Sequence, residues 1–329
     1  MEKITSDMKL IKVLASEARR EDVPEDQVQE AADIMAELAA EMTPENRYQL
    51  AQVMAYTIDE LQQDSLDFLN TIADQKTIGY GDKAAFKVKT GGIKAYFQAK
   101  GSTTPRSMVS GRQILVDTEE ISARPAIPLL QLKTKQVEMA DLLREANREI
   151  TNAKLKKIEQ VLQAAVANFA SPFYATGSGI VKDTLQKQIN YFRRFGPVTI
   201  LGDMEAISQL AALTGMAMST TMTQHSDKQI DEVNESGFIG KYMGCNVIAL
   251  TNAFEADGVT PILKTNWLYI IPGGMTGDTR NLKIVNEGNV MSVDATDIND
   301  LVYEVRLAQF FGAAFVTGKV PTIGAYLIG

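Results

Sequence analysis

Apolar positions recur three and four residues apart over roughly the first seventy residues, and the pattern breaks into three helices. Ile4, Met8, Ile11 and Leu14 form one stripe, and Val28, Ala31, Met35, Leu38 and Met42 form a second, parted near Pro24. Thr43-Pro44-Glu45 then supplies a side-chain acceptor, a proline for the first helical position and a first-turn acid, the start signal of a third helix. That helix is expected to run to about Leu69 through Leu50, Val53, Met54, Thr57, Ile58, Leu61 and Leu66.

After Gly79-Tyr80-Gly81 the period changes to two. Phe86 and Val88 alternate with Lys87 and Lys89, and Ile93, Ala95 and Phe97 alternate with Lys94, Tyr96 and Gln98. The stretch from Lys76 to Leu115 therefore reads as a β ribbon. Gly91-Gly92 suits either a hairpin turn or a kink in a longer strand, and the kink is favoured, with the tip at the loop Gly101 to Gly111. Arg112 to Ile121 would return antiparallel, giving an arm about 40–50 Å long at roughly 3.3 Å per residue. A two-stranded ribbon is marginal alone in water, so it needs a surface to lie on, and a partner subunit is the expected one.

Pro125 and Pro128 close this section, and Val137, Leu143, Ala146, Ile150, Leu155, Ile158, Leu162, Val166 and Phe169 then step by three and four. A helix of that span is close to 48 Å long at about 1.5 Å per residue, and its narrow apolar stripe reads as a spine laid along a sheet. From Ile180 the pattern turns α/β. It predicts a helix near Lys182 to Phe195, a strand Val198 to Leu201, a helix capped by Asp203 reaching about Leu213, and a Ser/Thr/Met-rich loop around His225. Strands are expected at Asn246 to Leu250, Leu268 to Ile271, Leu282 to Val285 and Val290 to Val293. The last stretch, from Leu301 to Ile328, reads as strands returning to the sheet beneath the spine.

Composition bounds the function. The chain has 329 residues, 45 % of them hydrophobic, which is enough to bury a sizeable core over two globular parts. No run long and apolar enough to span a membrane occurs, and the N-terminus is charged where a signal peptide would be apolar, so a soluble protein made in a cytoplasm is expected. One cysteine, Cys245, and one histidine, His225, leave no disulfide framework and no zinc-type cluster. Both read as structural.

Charge is divided sharply along the chain. From Met1 to Gln75 seventeen acids face six bases, whereas from Lys76 to Leu115 eight bases face Asp82 alone, a net +7 beside a net −11. Such blocks pair within a subunit or across subunits, or stand as solvated faces. An overall charge of −8 argues against a dedicated nucleic-acid reader. VTILGDMEAI and IPGGMTGDTR look like phosphate cradles but lack the Gly-Lys-Ser/Thr and Gly-x-Gly-x-x-Gly patterns, and Asp203 reads as an N-cap. Glu119-Glu120 reads as salt links and not as a catalytic pair. No cofactor, catalytic or metal residue is assigned.

GYGDKAAFKVKTGGIKAYFQAKGSTTPRSMVSGRQILVDTEEISARPAI and EMADLLREANREITNAKLKKIEQVL resemble the extended loop and the spine helix of the tailed-bacteriophage major capsid protein family. The order of parts resembles that family from about Thr43 onward. The resemblance implies an α+β, Hong Kong 97-type phage capsid fold: an N-terminal helical arm (1–75), an extended β-hairpin loop (76–127), a peripheral domain with the long spine helix (128–180 and 295–329) and an axial α/β domain (181–294). It implies a major head protein that self-assembles into hexamers and pentamers around phage DNA, with the loop lying over the adjacent subunit, the loop 216–228 facing the capsomer axis, and the arm retained. Contacts between subunits would fall to Lys83, Lys87, Lys89, Lys94, Lys100, Arg106 and Arg112 on the loop, with Arg144, Glu145 and Arg148 on the charged face of the spine. Implied partners are further copies of the chain, then scaffolding, portal and decoration proteins, with packaged DNA touched only non-specifically and no membrane. The implied place is the virion, assembled in the host bacterial cytoplasm. An encapsulin-like compartment and an oligomeric α/β enzyme are the alternative readings.

Overall fold

The fold is given by a computed structural model that describes residues 2–65, 73–89, 106–108, 110–134, 139–211, 240–250, 252–255, 257–272, 280–297, 302–316 and 321–329, with single positions between them. The three predicted helices are α1 (Glu2–Ala18), α2 (Glu25–Ala40) and α3 (Pro44–Ser65). The expected cap forms, since Thr43 Oγ1 accepts from the Asn46 amide at 3.3 Å. Val53, Met54 and Ile58 turn the inner face of α3 into a core shared with α1, α2 and the first half of the spine.

The spine helix itself, α5 (Met139–Val166), follows a short α4 (Leu129–Lys133) and is about 42 Å long at 1.5 Å per residue. Its buried stripe is Leu143, Ala146, Ile150, Lys154, Ile158 and Leu162. The stripe thus passes through Lys154, where the pattern had suggested Leu155, which is only half-buried.

Two sheets flank the spine. The first contains β1 (Ala73–Ile78), β4 (Glu119–Ala123), β5 (Ala126–Pro128), β11 (Leu282–Asp297) and β12 (Val302–Phe315), in the order β1-β11-β12-β4 with β5 also on β12. The second contains β6 (Tyr174–Gly177), β7 (Val198–Asp203), β8 (Lys241–Tyr242), β9 (Cys245–Leu250), β10 (Trp267–Pro272) and β13 (Gly324–Ile328), in the order β6-β13-β10-β7-β9-β8. Helices α6 (Lys182–Phe192) and α7 (Met204–Ala211) pack on this second sheet around Ile189, Phe192, Ile207 and Leu268. Asp203 caps α7, its Oδ1 accepting from the Glu205 amide at 2.8 Å. Cys245 is buried in the same core, and His225 lies outside the described residues.

Three strand assignments change. Leu282 to Val285 and Val290 to Val293 are one strand with an irregularity between Glu287 and Met291, and that strand belongs to the first sheet and not to the sheet of β7, β9 and β10. The C-terminal tail does not all return beneath the spine: β12 does, but β13 joins β10 in the second sheet. Residues 73–78 pair in parallel with β11, so Lys76 sits in the sheet and not in the ribbon. The local pattern marked 282–285, 290–293 and the C-terminal stretch as strand; it carried no information on which neighbour would pair with each.

Candidate assembly interface

The ribbon is β2 (Ala84–Lys89) and β3 (Gly111–Val116), antiparallel from Ala84 opposite Val116 to Lys89 opposite Gly111. The expected return strand therefore forms over its first residues, while 119–123 leave the ribbon and pair with β12. Because side chains alternate, Ala84 and Phe86 point inward with Val116 onto Val285 of β11, and Val88, on the same face of β2, is buried as well. The foot of the ribbon thus lies on its own subunit, where a partner's surface had been expected.

Phe86 is 1 % exposed, and the Nζ of Lys76 lies 4.5 Å from its ring centroid, with that of Lys283 at 5.3 Å. Lys76 also donates to the Ala85 carbonyl at 2.6 Å, and Lys283 pairs with Asp74 at 2.8 Å. Lys283, which is buried, and Lys76, which stays exposed, thus flank an aromatic ring at the base of the arm.

Glu287 ties down both legs. Its carboxylate accepts from the Gly81 amide at 2.8 Å on the way in, and from the Thr118 hydroxyl on the way out. Those hydrogen bonds hold the Glu287 carboxyl below its usual range, Thr118 contributing most. Tyr80 lies across the irregularity in β11 and donates to the Asn289 carbonyl at 2.5 Å. Glycine is required beneath it: Gly288 has φ +64°, and a Cβ there would sit 2.2 Å from the Tyr80 ring.

Lys83, Lys87, Lys100, Arg106 and Arg112 are exposed. The backbone of Lys89 lies in β2, whereas Lys94 and the Gly91-Gly92 pair fall outside the described residues. On the spine, Arg144 pairs with Asp141, and Arg148 stands 4.0 Å from Glu145 and 3.6 Å from Glu149. These are pairs within one helix at high exposure. Glu119 and Glu120 make the expected salt links, but to Lys157 of the spine, at 2.8 Å, and to Arg306.

Pattern reading also missed the buried cation of the spine. Lys154 is 2 % exposed, donates to Gln62 Oε1 at 2.8 Å and sits 5.5 Å over the Phe311 ring. Asp59 of α3 accepts from the Val290 amide at 2.9 Å, and its Oδ2 has no hydrogen-bond partner. Burial pushes Asp59 up to about 6 and Lys154 down to about 8, each countered in part by the other's charge. The signal was present: Lys154 falls four residues after Ile150 and four before Ile158.

A spine between two sheets, with a two-stranded arm rooted on the first, is the architecture of phage capsid proteins. Similar solved structures include one from Mycobacterium phage Bobi (TM-score 0.52, 13 % identity, covering 79 % of this chain and 89 % of that one). The asymmetric unit of the bacteriophage PhiM1 mature capsid (0.51, 10 %, 79 % and 86 %) and the capsid of cyanophage P-SCSP1u (0.51, 9 %, 79 % and 88 %) are similar to it as well. The family described as "SPbeta prophage-derived putative capsid protein YonB" matches residues 1–326, and the chain belongs to that family. Its role is that of a phage major capsid protein, a structural component of the virion that associates with further copies of itself into a shell. No curated protein matches it.

Proposed function

We propose that this major capsid protein builds hexamers and pentamers in which the ribbon of each subunit lies over its neighbour, and that these close into an icosahedral shell around phage DNA. The observation that carries this reading is the asymmetry of the ribbon. Its foot is fixed by Phe86, Lys76, Lys283 and Glu287, while the bases Lys83, Lys87, Lys100, Arg106 and Arg112 face solvent. A fixed root with a basic, exposed outer face suits a heterologous contact, repeated around a ring until it closes. The acidic N-terminal arm, net −11, is the complementary surface that every other copy offers.

In this reading the helices α1 to α3 form the arm, the chain between β1 and β4 the extended loop, and the two sheets the peripheral and axial parts. Scaffolding, portal and decoration proteins are further partners, DNA is met without sequence preference, and assembly occurs in the host bacterial cytoplasm. The test is expression of the chain alone and with the products of the genes flanking its own, followed by electron microscopy and sedimentation. Closed shells or capsomer rings are the expected result. A compact monomer or dimer under both conditions would overturn the proposal.

A further inference from the structure

On the outer side of α3, where it passes β11 and the root of the ribbon, there is an open trench of about 530 Å³. Tyr48 and Tyr56, eight residues apart and so on one face of α3, form one wall. Met291 and Val293, two apart on the outer face of β11, form the other, and Tyr80 closes the end nearest the ribbon. These five side chains are all between 38 % and 67 % exposed. The charged lining residues Glu120 and Arg306 pair with each other, so the trench is an aromatic slot without a free charge of its own at that pair.

The same chain carries the complement. Phe97 and Met108, which lie in sequence between Lys89 of β2 and Gly111 of β3, are fully exposed and 82 % exposed, so neither fills the trench of its own subunit. They lie in the segment of net +7, whereas α3, the trench wall, has four acids against Arg47. A side chain of this size exposed on one copy and an apolar slot open on the same copy satisfy each other only between copies. The volume lies within the roughly 300–1,000 Å³ of sites that enclose bulky groups.

We infer that the trench between α3 and β11 receives the ribbon of a second copy, with Phe97 and Met108 entering between the tyrosines while the ribbon's bases run along the acidic helix. This rests on the shell reading above and specifies the docking surface for it. Tyr80 then has two roles: it locks its own ribbon's root and it floors the slot for the neighbour's.

The experiment places p-benzoylphenylalanine at Phe97 or, in a second variant, at Met108, and mixes heavy-isotope and light-isotope chains before assembly. Particles are irradiated, digested and mapped by mass spectrometry. Mixed-isotope crosslinks into 48–56 or 289–293 are expected, falling at least ten-fold when Tyr56→Glu or Val293→Glu is built into the accepting copy. Crosslinks to another surface of the neighbour overturn the trench and leave the shell reading standing. So does a Tyr56→Glu, Val293→Glu double variant that forms particles in normal yield. If the unmodified chain yields no particles under either condition above, the shell reading fails, and this inference fails with it.

Discussion

At the level of single residues, the buried Asp59 and Lys154 give the subunit a pH dependence. Asp59 titrates near 6 in the folded chain against 3.8 as a free side chain, so between those values the folded state holds a proton that the unfolded state has lost. Its contribution to stability is therefore present at low pH and disappears as pH rises from about 4 to about 6. Lys154 behaves conversely, titrating near 8 against 10.5, so the cost of its buried charge is relieved as pH rises from about 8 to about 10.5. Both groups are charged between about 6 and 8, where each depends on the other. For Asp59→Asn we expect the fall in melting temperature between pH 4 and pH 6 to flatten, measured by calorimetry across that range. An unchanged slope would mean that other groups set it. Lys154 itself was readable in principle from its place in the apolar stripe. What was not readable is that Gln62 and Asp59, ninety or so residues earlier, would be there to meet it.

At the level of elements, the described part of the ribbon is a foot with its own small core, paired from Ala84 opposite Val116 to Lys89 opposite Gly111. Alternation of apolar and basic residues made the strands legible, together with their antiparallel return. It did not show that the strands would be rooted on their own subunit, because the foot is defined by Val285, Lys283 and Glu287, which arrive from a strand some two hundred residues later. Removing the ring should free the foot selectively. Phe86→Ala is expected to cost about 3 kcal/mol locally, as a buried aromatic truncation does. Amide hydrogen exchange should then show lost protection over 84–89 and 111–116, with the spine 139–166 unaffected. Equal loss in both regions would make Phe86 part of the global core. The spine is the opposite case: its approximate length was evident from local signals, and the structure moved its buried stripe by one residue only, from Leu155 to Lys154.

At the level of the whole molecule, the two charge blocks gain a geometry. The acidic helices pack against the spine and the first sheet, leaving the outer face of α3 open, and the ribbon foot stands beside that face at Tyr80. Each copy thus carries a basic ribbon whose root, at Tyr80, adjoins the acidic helix α3. Reversing Lys87, Lys89 and Lys94 to glutamate is expected to abolish shells and rings in electron micrographs, while circular dichroism and melting temperature stay near those of the unaltered subunit. Normal particles from this triple variant would remove charge from the account of assembly and leave the apolar trench to carry it.

By itself the sequence determined what nearest neighbours along the chain decide: three helices ahead of a two-stranded ribbon, a long spine, the Thr43 and Asp203 caps, and the order of parts by which the capsid family is recognised. These depend on periodicity and on hydrogen bonds spanning two to four residues, so the information is local. Only the tertiary structure decided that β13 crosses to the second sheet, that β11 is a single strand serving the first, that Lys283 is buried against the Phe86 ring, and that Glu287 clamps both legs of the ribbon. Strand pairing and burial of a charge are settled by partners distant in sequence, and a strand's own pattern is the same whichever sheet it joins.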